Sequence, residues 1–259
     1  MAPGTLLQHM HLIKRMRAWP IVSGSSFYEI GSGDGRLSNL FLKNGCLGKG
    51  FDLNITANKA NAALNAKAVS EGRYTIHLGD FIKWEGLQPV DFIISCMVIE
   101  HLQINQLEEY MEKSKSLLKE GGRLVTLVPA NMRAWGVEDD IAGHVKRYSR
   151  QCFHELAATH KMEIVNLSGL TWPLSNLLLP LSNYLVRNAE SSMSQKTMEE
   201  KTIASGYRNV RFKTNFPIWS RLFINNITLF PWLILQSIGN KLQLESSLVL
   251  YCEMMQKTK

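Results

Sequence analysis

Three glycines at alternate positions, Gly31, Gly33 and Gly35, form the part of the sequence best suited to hold a ligand. Glycine has no Cβ, so a turn rich in glycine lets the backbone approach a bound molecule closely. The turn follows an apolar, strand-like stretch and opens into a helix-like one. Arg36 occupies the third glycine position of the dinucleotide fingerprint Gly-x-Gly-x-x-Gly, which weighs against a nicotinamide dinucleotide.

Acidic residues stand at the ends of the strands that should surround this turn. Glu29 lies just before the glycines, Asp52 ends the second predicted strand, and Asp80 follows the third. Carboxyl ends of parallel strands share one edge of a sheet, where ligands bind. A carboxylate such as Asp52 suits the two hydroxyls of a ribose, Asp80 with Phe81 suits an adenine, and Glu29 suits the turn or an amine. Each acid alone is equally typical of a helix cap or a loop.

Strand-like and helix-like segments alternate over the first 168 residues, which is typical of a parallel sheet covered by helices on both faces. We therefore predict an α/β fold with a doubly wound, mostly parallel seven-stranded sheet. The predicted strands cover residues 27–31, 48–53, 74–78, 91–95, 123–128, 163–167 and 247–254. The predicted helices cover 35–44, 54–70 and 103–119, the last closed by Gly121-Gly122, and another begins after Ser149.

The alternation stops at residue 168, so we divide the chain into a core (1–168), a helical insertion (169–243) and a final strand that returns to the sheet (244–259). Segments 171–186 and 222–240 have no formal charge and are rich in Leu, Phe and Trp. Prolines and polar residues interrupt both, which argues against membrane spans. The favoured interpretation is two helices that cap the sheet and wall the site; the alternative adds an apolar face that contacts lipid. Residues 188–213 are polar and predict a lid or a linker.

Composition limits the partners and the compartment. The net charge is +7, and residues 169–259 carry ten of the basic but five of the acidic residues. This balance fits a membrane surface or an anionic, lipid-like partner, or it serves solubility alone. The four cysteines form no metal-ligand or disulfide pattern, so no metal is expected, and a reducing cytoplasm is predicted, with peripheral contact to the inner membrane surface as a further hypothesis.

Three segments carry a resemblance to a known family: Ser95–Leu102 with its Glu-His-Leu, Leu117–Leu124 with its Gly-Gly, and Gly143–Ser149. The chain resembles the class I S-adenosylmethionine-dependent methyltransferases, in the group that includes the ubiquinone and menaquinone biosynthetic enzymes. The resemblance covers residues 25–168 and the last strand. It implies a Rossmann-like fold, S-adenosylmethionine as cofactor and S-adenosylhomocysteine as product. The cofactor-binding residues that we predict are Glu29, Gly31, Ser32, Gly33, Gly35, Asp52, Leu53, Asp80, Phe81, Ser95 and Met97.

Methyl transfer from a sulfonium is an in-line displacement in which positioning supplies much of the rate. A hydroxyl acceptor benefits from a general base, and His144, after the fifth strand, is the first candidate, with Tyr148 beside it as the second predicted catalytic residue. An equal interpretation of His144 is that it orders its loop or binds the outer face of the cofactor. Glu100 and His101 are interpreted as structural or cofactor-contacting. The cluster Lys146, Arg147 and Arg150 is either a solvated face or a site for an acceptor phosphate or carboxylate.

These observations predict methyl transfer to a small-molecule or lipid-linked acceptor, at oxygen. An RNA methyltransferase is the first competing hypothesis, suggested by a sequence pI of about 9.2. The strand-four end Ser95-Cys96-Met97-Val98 lacks the Asn/Asp-Pro-Pro-aromatic motif of amino-directed nucleobase enzymes, and we find no basic–aromatic stripe. A nicotinamide dehydrogenase on a similar sheet and a non-catalytic protein that binds the cofactor or a membrane also stay open as hypotheses.

Overall fold

Seven strands form a mixed sheet in the order β3-β2-β1-β4-β5-β7-β6. The structure is a computed structural model that describes residues 2–189, 197–205 and 216–257. β7 runs antiparallel to β5 and β6, whereas the other neighbouring pairs are parallel, so the predicted doubly wound, mostly parallel sheet is confirmed. The strands are β1 (Ser26–Ile30), β2 (Leu47–Asp52), β3 (Tyr74–Leu78), β4 (Val90–Cys96), β5 (Leu118–Pro129), β6 (Met162–Leu170) and β7 (Val249–Gln256).

Helices precede, connect and follow these strands. The described α-helices are α1 (Pro3–Met16), α2 (Arg36–Lys43), α3 (Ile55–Leu64), α4 (Ala66–Ser70), α5 (Ile104–Ser116), α6 (Val137–Ala142), α7 (Arg150–Thr159), α8 (Leu174–Ala189), α9 (Met198–Ser205) and α10 (Phe230–Lys241). Short 3₁₀ turns cover Ile99–His101, Met132–Ala134 and Ile218–Leu222. The predicted cap at Ser149 is present, since its hydroxyl accepts the N–H of Cys152 at 3.2 Å.

The sheet has an apolar core on each face, as its strand pattern requires. Successive side chains of a strand point to opposite faces. Ile93 accordingly joins the core built with α5 and α7, while its neighbours Phe92 and Ile94 join the core built with α1, α2 and α4. A strand buried on both faces reads as a continuous apolar run, which is what Phe92–Ile94 shows.

Two predicted boundaries are wrong for local reasons. The helix predicted over 54–70 breaks at Asn65, whose side-chain amide donates to Gly35 O at 3.1 Å instead of facing solvent. The helix predicted over 103–119 ends at Ser116, and β5 begins at Leu118. A register shift between Val90 and Phe92 accommodates the two glycines as an irregularity inside the strand pair.

The N-terminal helix α1 was not predicted, and it binds the sheet and the segment 169–243 together. Leu12 and Met16 are buried in the core of the sheet. Leu7 is buried against Leu174 of α8 and Leu229 before α10, in a separate apolar cluster. The helix therefore stands between the core and the predicted insertion.

The two uncharged segments contain helices, as the favoured interpretation expected: α8 falls largely within 171–186, and α10 within 222–240. Gln236 of α10 accepts the N–H of Thr171 at 2.6 Å, and Asn240 accepts that of Gly169, which joins α10 to the end of β6. The polar segment 188–213, predicted as a lid or linker, lies mostly outside the described residues; α9 is the described part of it. Among the described residues, no helix is long and apolar enough to cross a membrane.

Candidate active site

A cavity of about 1730 Å³ opens along the carboxyl edge of the sheet. Pockets for a single small ligand are typically about 300–1,000 Å³, so this cavity has room for two ligands. It is lined at the ends of β1, β2, β3, β4 and β5 and at the start of β7. The predicted site residues that line it are Glu29, Gly31, Ser32, Gly33, Asp52, Leu53, Asp80, Phe81, Met97 and His144.

The glycine turn is as tight as its spacing predicts. Gly31, Gly33 and Gly35 have φ of 69°, 51° and 77°, a region that side chains disfavour. A Cβ at Gly31 would lie 2.4 Å from the Val98 side chain, and one at Gly35 would lie 2.1 Å from Asn61 Oδ1. Larger residues would therefore displace the turn from the cavity wall.

Asp52 ends β2 and holds this turn from the side. Its Oδ2 accepts the N–H of Gly33 at 2.8 Å, and its Oδ1 accepts the N–H of Asn54 at 2.7 Å. Burial raises the pKa of Asp52, while these two backbone donors lower it. Each carboxylate oxygen has a second lone pair, so Asp52 can still accept hydroxyl groups of a ligand in the cavity.

Glu29 lies beneath the turn and is almost fully buried. It accepts the hydroxyl of Ser38 in α2, which in turn bonds Tyr74 Oη at 2.7 Å. Burial raises the pKa of Glu29 to about 8, so this carboxyl is mostly protonated at neutral pH. Of the two roles predicted for Glu29, the contact with α2 favours holding the turn.

Asp80 and Phe81, which follow the edge strand β3, place a carboxylate beside an aromatic ring. Asp80 Oδ1 accepts the N–H of Ile82 at 2.9 Å, which fixes the carboxylate at the cavity edge. Phe81 is buried and packs edge-on against Phe51, with ring centroids 5.5 Å apart. Leu53 is half-exposed at the cavity wall. This arrangement offers the polar and apolar surfaces that an adenine requires.

Three predicted site residues lie away from the cavity lining. Gly35 is the N-cap of α2, one step beyond the turn. Ser95 is fully buried within β4, where it accepts the hydroxyl of Tyr110 at 3.0 Å, and the next residues, Cys96 and Met97, reach the cavity instead. Tyr148 is also buried, and its hydroxyl donates to Ile99 O at 3.0 Å. Burial raises the pKa of Tyr148 far above its ordinary value, so a role in proton transfer is disfavoured.

His144 reaches the cavity and is held by a buried ion pair. Its Nδ1 lies 2.8 Å from Asp139 Oδ1, and Asp139 also accepts from Arg147 Nε at 2.8 Å. Although burial raises the pKa of Asp139, the bonds from His144 and Arg147 bring it below its ordinary value. Since ionised Asp139 only accepts, Nδ1 of His144 carries the proton, and Nε2 is free of it in the neutral ring.

Sequence analysis missed that Glu100 and His101 meet His144. Glu100 is fully buried, with Oε1 3.9 Å from His144 Nε2, and the ring centroids of His101 and His144 are 4.8 Å apart. Burial raises the pKa of Glu100 to about 8 and lowers that of His101 to about 4. Because β4 and β5 are neighbours, the residues that follow them share one edge, and this pairing is the signal that would have located the cluster.

The side chains of the predicted basic cluster, Lys146, Arg147 and Arg150, mostly contact other parts of the protein. Arg147 donates to Asp139 and to Ala130 O, and Arg150 donates to Leu167 O at 2.9 Å. Lys146 lies over the Tyr148 ring. The cluster is therefore a poor site for an acceptor anion, and the anionic character of the acceptor stays a prediction.

Helices of the segment 169–243 complete the cavity wall. α8 contributes an apolar row that includes Leu178, Leu181 and Leu185. α9 contributes Thr202 and Ile203; Thr202 Oγ1 lies 3.4 Å from His101 Nδ1. Polar strand ends therefore line one part of the cavity, and leucines line another.

Comparison with protein-family models gives a match over residues 7–167, more than half of the chain, to a family described as a methyltransferase domain. No curated protein matches the sequence.

Solved structures share the fold at low sequence identity. A magnesium protoporphyrin IX methyltransferase from Synechocystis, with bound S-adenosylhomocysteine, is 16% identical with a TM-score of 0.55, over 65% of this chain and 77% of that one. A phosphoethanolamine N-methyltransferase from Haemonchus contortus, with S-adenosylmethionine, is 15% identical with a TM-score of 0.59, over 97% of this chain and 52% of that one, so this chain spans about half its length. A [4+2]-cyclase is 10% identical with a TM-score of 0.55, over 93% and 78%.

Proposed function

We propose that this chain, which belongs to the methyltransferase domain family, methylates a hydroxyl group on a lipid-linked small molecule. It is an S-adenosylmethionine-dependent methyltransferase, and S-adenosylhomocysteine is its product. The Rossmann-like fold is that of such enzymes, and the family match favours this donor over a nicotinamide cofactor. The acceptor and the methylated atom are the proposed part.

The observation that supports a lipid-like acceptor is the composition of one continuous cavity. The glycine turn, Asp52 and Asp80 line the part suited to the cofactor, whereas Leu178, Leu181 and other leucines of α8 line another part. Apolar walls favour an apolar acceptor body because its burial releases water. The similarity of the segments at 95–102 and 143–149 to quinone-biosynthetic enzymes points to the same class of acceptor. RNA, with its charged backbone, fits a wall of leucines poorly.

His144 is the residue to which we assign activation of the acceptor hydroxyl. Its Nε2 carries no proton in the neutral ring, its Nδ1 is held by Asp139, and the side chain lines the cavity. A hydroxyl oxygen becomes an effective nucleophile toward the sulfonium methyl only as its proton is drawn away. We assign the cofactor to the glycine turn, with Asp52 on the ribose hydroxyls and Asp80 beside the adenine.

The direct test supplies methyl-labelled S-adenosylmethionine with three acceptors: a prenylated phenol, the same phenol without its tail, and a prenylated amine. We expect methyl ether formation, detected by mass spectrometry, to be fastest with the prenylated phenol. His144→Ala should lower turnover by about 10²–10⁴-fold with unchanged cofactor affinity, as for loss of an acid–base group, and His154→Ala, at an exposed histidine, should not change it. Methylation of the amine alone would contradict the proposal.

We also propose that an anionic membrane surface presents the acceptor. The described residues from 219 to the end of α10 expose many large apolar side chains, among them Leu222, Phe223 and Ile227, which are 73%, 69% and 85% exposed. Lys14 and Lys241 border a shallow apolar groove of about 300 Å³ on α10. Exposed aromatic and aliphatic groups with flanking lysines are typical of helices that lie in a bilayer interface. The four free cysteines agree with the reducing cytoplasmic side of that membrane.

Vesicle co-sedimentation tests this part separately. The full chain should sediment with phosphatidylglycerol-containing vesicles more than with neutral ones, and less in high salt. Phe223→Ser combined with Ile227→Ser should reduce binding at least tenfold, while Ile104→Ser, an equally exposed apolar residue on α5, should not. Equal binding by all variants, or none by the wild type, would overturn membrane contact and leave methyl transfer unaffected.

A further inference from the structure

Three potential metal ligands from two loops converge at the cavity wall. Their candidate ligand atoms, in Glu100, His101 and His144, lie within 4.8 Å of one another. Ligand atoms in a tetrahedral zinc site lie about 3.4 Å apart, given zinc–ligand distances near 2.1 Å. Modest side-chain rotations would therefore bring the three atoms to ligand spacing.

Glu100 is the least explained member of this cluster. It is fully buried, and neither carboxylate oxygen has a hydrogen-bond partner on another described residue. A buried carboxyl group without a partner is costly, and buried acids are normally paired or coordinate metals. The nearest basic atom is His144 Nε2 at 3.9 Å, which is too far for a hydrogen bond.

The two histidines are oriented as metal-binding histidines are. Asp139 holds Nδ1 of His144, and the carbonyl of Gly143 lies 3.2 Å from Nδ1 of His101. A carboxylate or carbonyl on one ring nitrogen fixes the tautomer and leaves the other nitrogen to the metal. Val145 N–H also donates to Glu100 O at 2.7 Å, which docks the loop of His144 against the turn of Glu100.

We propose that Glu100, His101 and His144 bind one divalent transition-metal ion of the zinc type. Two imidazoles with one carboxylate suit Zn²⁺ and its neighbours better than Mg²⁺ or Ca²⁺, which prefer oxygen ligands. His101 and His144 line the cavity, so an open position on the ion would face the cavity. Catalytic zinc sites have this composition, three protein ligands and one open position.

This inference rests on the proposed function and states how His144 acts. With such an ion bound, an acceptor hydroxyl at its open position would have a lowered pKa, and its proton would pass to solvent water. The oxygen would then form a bond to the methyl carbon as the carbon–sulfur bond breaks, and the sulfonium would become the neutral thioether S-adenosylhomocysteine. His144 would thus activate the acceptor hydroxyl through the metal, as one of its ligands.

The test uses the full chain, stripped with a chelator and then titrated with Co²⁺, followed by its visible absorption, and with Zn²⁺, followed by calorimetry. We expect one equivalent of each to bind. Glu100→Gln and His101→Asn should each raise the Kd for Zn²⁺ at least 100-fold, and Asp139→Asn about 10–100-fold, as for loss of a group that orients a ligand. His154→Ala, at an exposed histidine, should bind as the wild type does.

Thermal unfolding guards against misfolded variants. Metal-free Glu100→Gln should melt no lower than the metal-free wild type, because its amide replaces an acid with no partner on another residue. Saturating Zn²⁺ should raise the melting temperature of the wild type but not that of the variant. Binding of Zn²⁺ to Glu100→Gln with wild-type affinity, or turnover of the stripped enzyme undiminished in excess chelator, would overturn the inference. Stoichiometric metal bound through Glu100, without methyl transfer to any hydroxyl acceptor, would instead overturn the proposed function and leave the metal site standing.

Discussion

Asp52 illustrates how one carboxylate serves both the fold and the ligand. It accepts the backbone N–H groups of Gly33 and Asn54 and still faces the cavity. Asp52→Asn keeps the shape but loses the charge and one acceptor. Since a hydrogen bond to a charged group contributes about 1.5–3 kcal/mol, the Kd for S-adenosylhomocysteine should rise roughly 10–100-fold. Calorimetry measures this, with the exposed Glu71→Gln as control, and an unchanged Kd would remove the ribose role.

Glu29 predicts a particular dependence of stability on pH. Its pKa is about 8 in the folded protein and 4.5 ordinarily, so folding favours the protonated form. Its contribution is complete below about pH 4.5 and is lost as the pH rises toward 8, at up to about 1.4 kcal/mol per pH unit. Glu29→Gln lacks this loss, so the ligand-free wild type should weaken relative to the variant between pH 5 and 8. Parallel free energies of unfolding, measured in urea, would contradict this.

The sequence predicts which strand ends form the site, but it does not predict which side chains point into the cavity. The order of strand ends along the chain sufficed to place Asp52, Asp80 and Met97 at one edge. It did not decide which residue of each end faces the cavity, because direction alternates along a strand. Ser95, predicted to bind the cofactor, lies inside the sheet one residue before Cys96, which lines the cavity, and the hydroxyl of Tyr148, predicted to be catalytic, is buried.

At the scale of elements, Glu253 of β7 connects the sheet to α1 and the residues after it through hydrogen bonds and an ion pair. It is fully buried and accepts from Arg15 at 2.7 Å, Trp19 at 3.0 Å and Arg123 at 3.2 Å. Sequence analysis missed α1 because its partners are distant in the chain. The ion pair between Arg15 and Glu253 of β7 cannot be predicted without knowing that β7 lies beside α1.

Glu253→Gln should therefore destabilise the protein by roughly 3–5 kcal/mol, the usual cost of removing one partner from a buried ion pair. Although burial raises the pKa of Glu253, the bonds from Arg15, Tyr251 and Trp19 bring it below 4.5. Its contribution is consequently present above about pH 4.5 and lost in acid. Urea unfolding measures the effect, and Glu163→Gln, on the exposed side of β6, should change stability by less than about 0.5 kcal/mol. A similar value for both variants would refute the network.

At the scale of the whole molecule, one cavity joins segments that are far apart in sequence. It is lined by α1, the ends of five strands, the start of β7, α8 and α9. The pattern of strands and helices predicts the sheet because it repeats locally, and it predicts that segment 169–243 is helical. It does not predict that α9 reaches the cofactor side, since that depends on a few contacts between distant residues. A [4+2]-cyclase shares the fold, so the reaction depends on these contacts rather than on the sheet.

Asn54 provides one such contact, and it allows a test of coupling between the cofactor site and α9. Its Nδ2 donates to Ile203 O of α9 at 2.9 Å, while its Oδ1 accepts Thr56 N–H and caps α3. Asn54→Asp keeps the acceptor and removes the donor, so α3 stays capped and α9 loses its link to the loop after Asp52. In the wild type, S-adenosylhomocysteine should slow amide exchange in residues 197–205; in the variant this protection should fall at least threefold, with cofactor affinity within about twofold. Equal protection in both proteins would show that α9 responds to the cofactor by another route than the bond from Asn54 Nδ2.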